Sequence, residues 1–101
     1  MSFSQTSQDI NVSGPTLSAE CEKEGGGSIV PSTLNLDDYL GNINASFRWG
    51  STIFSHSARN ISNDGPTLTA DLQDSQGNWQ SASVNLDEHI ANMNGQLTYQ
   101  A

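Results

Sequence analysis

Polar and apolar residues alternate without a break along Thr16–Glu22. Leu17, Ala19 and Cys21 fall on one side, and Thr16, Ser18, Glu20 and Glu22 on the other. Strand side chains point alternately to two faces, so this spacing predicts a strand with one face buried. The pattern recurs in Thr67–Gln73, where Leu68, Ala70 and Leu72 take the inward positions. Shorter alternating tails put Phe47 with Trp49, and Leu97 with Tyr99, on one side. Weaker strands are predicted at 6–11, 28–34, 57–62 and 79–84; the second of these is expected to break at Pro31, which has no N–H to give a ladder. Turns fall at 12–15 and 63–66, both ending in Gly-Pro, and loops at 23–27 and 74–78. Asn94-Gly95 suits a two-residue type I′ hairpin turn, which needs positive φ at both positions; Asn44-Ala45 stands in the matching place with a poorer second residue. Leu36, Tyr39 and Leu40 have helical spacing, as do Leu86, His89 and Ile90, over runs too short for more than a single 3₁₀-like turn. Together these elements make the chain all-β.

They come in two rounds. The stretch 35–50, NLDDYLGNINASFRWG, returns as NLDEHIANMNGQLTYQ at 85–100. A shift of 51 residues matches Phe3-Ser4 with Phe54-Ser55, Gly14-Pro15-Thr16-Leu17 with Gly65-Pro66-Thr67-Leu68, and Ala19 with Ala70. The shift drops to 50 from Leu34 onward, which places one extra residue near Thr33, and 15 of 47 aligned positions are identical. Two copies are too few for a solenoid. They point to one compact unit of two pseudo-symmetric repeats, 1–50 and 51–101, each a three-stranded sheet plus a β-hairpin, with 49–52 as the hinge.

Charge narrows the partners. Eleven acidic residues face only Lys23, Arg48 and Arg59, a net charge of -8. That balance argues against nucleic acid and anionic membrane surfaces, and no run of 18 apolar residues offers a membrane span. The single cysteine, Cys21, has no partner for an internal disulfide. With no basic and apolar leader at the start, this favours a cytoplasmic location, secretion by an unconventional route remaining the alternative.

No catalytic constellation emerges. The acidic pairs Asp37-Asp38 and Asp87-Glu88 have the residue types of a glycosidase acid and base, but both sit at one repeat position that suits the first turn of a helix, whose N–H groups are unpaired. His56 and His89 occupy unrelated repeat positions, without the ligand spacing of a metal site. Trp49 and Trp79 are expected to face inward. What remains is a set of loops rich in Asn, Gln, Ser and Thr, which donate and accept hydrogen bonds without strong positive charge. Such a surface suits neutral polyhydroxylated ligands.

FSQTS at 3–7, LSAECE at 17–22, VNLDEHIANMNGQLTYQ at 84–100 and NLDDYLGNINASFRW at 35–49 closely resemble the cyanovirin-N homologue family of lectins, over essentially the whole chain. The resemblance implies an all-β lectin in which the two repeats exchange strands. Domain A would comprise 1–40 with 91–101, and domain B 41–90. It also implies a mannose-binding protein, specific for α1→2-linked mannose, that needs no metal or cofactor and is not an enzyme. The family's type member carries two disulfides; the four positions here read Ser7, Cys21, Ala58 and Leu72, so this chain resembles the fungal-type members without them. Gly50-Ser51 replaces a hinge proline and favours a monomer, with a swapped dimer as the alternative.

Carried over position by position, carbohydrate-binding site A would use Ser2, Gln5, Thr6, Glu22, Lys23, Glu24, Asn92, Asn94 and Gln100. Site B would use Asn42, Asn44, Thr52, Ser57, Gln73 and Asp74, but Gly41 removes an acid, Ile53 an amide, and 73–75 the basic loop of the family pattern. The expectation is therefore one working site, in domain A. The rival reading is a protein-interaction or structural domain that kept the fold and lost the sugar.

Overall fold

The computed structural model describes residues 3–25 and 27–100. Ten strands run in order: β1 Ser7–Ser13, β2 Thr16–Glu22, β3 Ile29–Asn35, β4 Leu40–Ile43, β5 Ser46–Trp49, β6 Ala58–Asp64, β7 Thr67–Gln73, β8 Trp79–Asn85, β9 Ile90–Met93 and β10 Gln96–Tyr99. They form antiparallel sheets β1-β2-β3 and β6-β7-β8 and hairpins β4-β5 and β9-β10. The all-β repeat architecture is thus as the alternation predicts. Each repeat's hairpin serves the other repeat's sheet. The β9-β10 hairpin lies against β3 and the 3₁₀ turn Phe3–Thr6, and β4-β5 lies against the 3₁₀ turn Phe54–Ser57 and β8. The result is elongated, 50 × 23 × 16 Å along its principal axes.

The repeated Asn-Leu-Asp motif explains how the exchange is held. Asn35 and Asn85 cap the short 3₁₀ turns Leu36–Asp38 and Leu86–Glu88, each side-chain oxygen accepting from the N–H two residues on at 3.0 Å. Leu36 and Leu86 are fully buried, and their N–H groups donate to the carbonyls of Pro15 and Pro66 at 2.8 Å. The aspartate then reaches across repeats. Asp37 accepts from the backbone N–H (3.0 Å) and hydroxyl of Ser55, and Asp87 accepts from the same groups of Ser4. The adjoining Phe54 and Phe3 are fully buried. The identities at Phe-Ser and Asn-Leu-Asp are therefore two halves of one contact, made twice. It also accounts for the acidic pairs: Asp37 and Asp87 are structural caps.

One core runs through both repeats, built from Phe3, Leu17, Leu36, Leu40, Phe54, Leu68, Leu86 and Ile90, each at most 1% exposed. Among the described residues no buried side-chain polar atom lacks a partner. Ser7 pairs with Cys21 and Ala58 with Leu72 in register, with Ser7 Oγ 3.4 Å from Cys21 Sγ.

Three expectations are corrected. Strand β3 runs unbroken through Pro31, because β3 is an edge and the missing N–H costs no ladder bond there. The extra residue lies in the β2–β3 loop, not near Thr33: Glu22 pairs with Ile29 and Gln73 with Trp79, so the first loop is one residue longer. Trp79 is not core. It stands 37% exposed on the outer face of β8, with the Arg59 guanidinium 4.2 Å above its ring. Trp49 is half-buried at the core's rim, its Nε1 donating to Glu88 at 3.3 Å.

Candidate functional site

At one end of the molecule the β9–β10 turn and the β2–β3 loop close around a cavity of about 480 Å³, lined by Thr6, Glu22, Lys23, Glu24, Gly25, Asn92, Met93 and Asn94. Volumes of this order are usual for small-ligand sites. The turn is tight because Asn94 and Gly95 both take positive φ, 54° and 88°. Gly95 is required for a second reason. A Cβ there would lie 2.7 Å from Val30 Cγ2 and 3.0 Å from Lys23 Cγ. The absent side chain lets the turn seat against the first sheet.

Asn92 is the clamp. Its Nδ2 donates to Thr6 Oγ1 and to the Glu22 carbonyl, both at 2.9 Å, while its Oδ1 accepts from Gly95 N–H at 2.8 Å. One amide thus ties hairpin, 3₁₀ turn and sheet together and fixes the cavity's floor. Asn94 Oδ1 accepts from Glu24 N–H at 3.0 Å, and Lys23 N–H donates to Ser28 O at 2.8 Å, which shapes the loop wall. Several groups remain to meet a ligand. Thr6 accepts through Oγ1 and keeps its own hydroxyl hydrogen. Among the described residues no side chain engages the Glu22 or Glu24 carboxylates, the Lys23 ammonium or Asn94 Nδ2. A concave wall with carboxylate, amide, hydroxyl and ammonium groups can hold vicinal hydroxyls as donors and acceptors at once.

Of the residues expected at site A, Thr6, Glu22, Lys23, Glu24, Asn92 and Asn94 come together here. Gln5 is exposed and outside the lining. Gln100 is also outside it, its Nε2 3.6 Å from Met93 Sδ. Ser2 lies outside the described residues. Gly25 and Met93 are members that sequence reasoning missed. The available signal for Met93 was its place between two turn asparagines in a strand tail that leaves it facing outward.

The other end repeats the clamp and spends its polar groups internally. Asn42 Nδ2 donates to Ser57 Oγ at 2.8 Å and Gln73 O at 2.9 Å, and its Oδ1 accepts from Ala45 N–H at 2.8 Å. Asn44 Oδ1 accepts from Ser75 N–H at 3.1 Å and Ser75 Oγ at 3.2 Å. Gln73 Nε2 turns into its own loop, donating to Gly77 O at 3.3 Å. The Asp74 carboxylate accepts from Gln76 and Asn78 N–H, both at 2.9 Å, and from Gln80 Nε2 at 2.7 Å. These bonds, the one from Asn78 foremost, hold Asp74 below the usual carboxylate range. Thr52 and Ile53 are exposed, beyond this network. Gly41 is buried under the hinge, where a Cβ would meet Ser51 Cβ at 2.5 Å and Thr52 N at 2.9 Å. Among the described residues no three His, Cys, Asp or Glu side chains gather as a metal site would need.

The CVNH domain family model matches residues 3–98. A cyanovirin-N homologue from Tuber borchii is 34% identical over 104 residues, covering 99% of this chain and all of that one. Among solved structures, the Gibberella zeae CVNH protein is 42% identical, with TM-score 0.87, over 98% of this chain and 97% of its own. A MoCVNH3 variant in complex with (N-GlcNAc)4 is 29% identical, with TM-score 0.88, covering 96% and 95% of the two chains. Microvirin in complex with mannobiose is 31% identical, with TM-score 0.81, covering 97% of each.

Proposed function

The chain belongs to the CVNH-domain family, with the lectin fold of that family, and from this premise we propose that it binds carbohydrate in the cavity between the β2–β3 loop and the β9–β10 turn. The ligand of this reading is a mannose-terminated glycan, with α1→2-linked mannose as the preferred unit. The observation that carries it is the contrast between the two ends. At the cavity, Glu22, Lys23, Glu24 and Asn94 hold polar groups toward open space over a floor fixed by Asn92. At the opposite end the corresponding amides and carboxylate are consumed by the protein's own loops. One working site follows, in the domain that joins residues 1–40 to 91–101. No metal takes part, because amides, hydroxyls and carboxylates suffice to recognise neutral hydroxyl pairs.

Microvirin with mannobiose and the MoCVNH3 variant with (N-GlcNAc)4 support carbohydrate as the ligand class and set out the two sugars to compare. A glycan array spanning oligomannose and chitin oligosaccharides makes the choice. The expected result is signal on glycans ending in α1→2 mannose. Signal on GlcNAc oligomers alone would keep the lectin and overturn the mannose preference. Silence on every glycan at high protein concentration would favour the rival protein-interaction domain.

A further inference from the structure

Met93 is the least polar member of the cavity lining and is 51% exposed. Large apolar side chains left half open at a concave polar site have little to gain from their own fold. The feature is not an accident of one hairpin. Ile43, at the same place before the other hairpin's turn, is 48% exposed. In both hairpins the preceding asparagine is turned inward as the clamp, so strand alternation sends the next side chain out over the cavity's rim. The Met93 thioether is further held by Gln100, whose Nε2 lies 3.6 Å from Sδ. That contact gives the flexible side chain a fixed position beside Asn92 and Asn94.

We propose that Met93 is a ligand-contact residue, an apolar shelf for the C–H face of the bound sugar, and that its thioether makes binding sensitive to oxidation. This rests on the carbohydrate-binding reading of the cavity. A pyranose ring has hydroxyls around its edge and C–H groups on its faces, so a site needs both polar and apolar walls. Glu22, Lys23, Glu24 and Asn94 supply the first; Met93 supplies the second. A hydroperoxide oxidises the thioether directly: the sulfur lone pair attacks the peroxide oxygen, the O–O bond breaks, the sulfoxide forms, and the peroxide is reduced to water or alcohol. The product is polar and chiral and no longer an apolar shelf.

The test titrates native protein, Met93→Ala and Met93→Leu with the glycan the array selects, before and after hydrogen peroxide, following binding by calorimetry and folding by melting temperature. Met93→Ala is expected to bind about fivefold more weakly, from the loss of roughly 40 Å² of apolar contact. Met93→Leu should stay within about twofold, since the swap conserves volume. Peroxide should weaken the native protein but not Met93→Leu, which controls for oxidation of Met1 or Cys21. Melting temperatures should hardly move, because the side chain is half exposed. Native protein that binds, with Met93→Ala binding equally and peroxide without effect, would overturn this inference alone. Native protein that binds no glycan would overturn the carbohydrate reading beneath it.

Discussion

The two clamp asparagines make a quantitative prediction. Asn92→Ala removes two bonds from Nδ2, to Thr6 Oγ1 and Glu22 O, and one to Oδ1 from Gly95 N–H. At about 0.5–1.5 kcal/mol net each, three bonds sum to ~1.5–4 kcal/mol. Glu22 is exposed and its carbonyl can turn to water, which places the expectation in the lower half, about 2 kcal/mol. For a domain of this size that is a fall in melting temperature of ~8–16 °C. Asn42→Ala breaks the same three kinds of bond at the other end and should cost the same. The two clamps share no partner, so the double variant should lose the sum to within ~0.5 kcal/mol. Asn94→Ala is the contrast. Its one bond to Glu24 N–H is exposed, so stability should fall by under ~1 kcal/mol while a cavity group is lost. The assay is urea unfolding of all four variants, with the slope checked for two-state behaviour. Asn92→Ala with unchanged stability but abolished glycan binding would refute the reasoning, since it would make Asn92 a ligand contact and not a clamp.

The turn beside each clamp should respond to its second residue. Ala45 holds φ of 67°, so Ala45→Gly should stabilise by about 1 kcal/mol, whereas Gly95→Ala should destabilise by more than that through its approach to Val30 and Lys23; thermal melts read both. Ser7→Cys should form a disulfide with its register partner Cys21 and stabilise by about 3 kcal/mol for a loop of this length, seen as a melting difference with and without reductant. The native protein's melt should ignore reductant. Asp74 is held below its ordinary range by Asn78 and Gln80, so its contribution is present above that range and lost as pH falls through the lowered value. Asp74→Asn should flatten the acid limb of a stability–pH profile. Glu20 is raised by a hydrogen bond to Asp9 and by Asp9's charge, which has the opposite sign: stability falls as pH rises through the raised value, and Glu20→Gln should remove that fall.

Much of this was legible in residues whose physics is local. Alternation over Thr16–Glu22 and Thr67–Gln73 located the central strands, and Asn94-Gly95 located a turn, because each depends on neighbours in sequence. Residues that act across the repeats were not legible in that way. The acid of Asn-Leu-Asp reads as a helix-start residue, and only the fold brings Ser55 to Asp37 and Ser4 to Asp87. Trp79 alternates as an inward residue, yet register with Gln73 turns it outward, where Arg59 covers it. The extra residue was misplaced because chance matches at Gly26 and Ser32 outvoted the strand register. The cavity's polar members could be carried over from the family resemblance. Met93 could not, because an apolar residue in a strand tail reads as core until its exposure is known.

The central claim is that one end of the molecule binds sugar and the other does not. The most direct measurement is a ¹H–¹⁵N NMR titration of the native protein with α1→2 dimannose. The prediction is progressive shifts for the amides of Glu22, Lys23, Glu24, Met93 and Asn94, with those of Asn42, Asn44, Gln73 and Asp74 unmoved. Shifts confined to the second group, or equal in both, would contradict it.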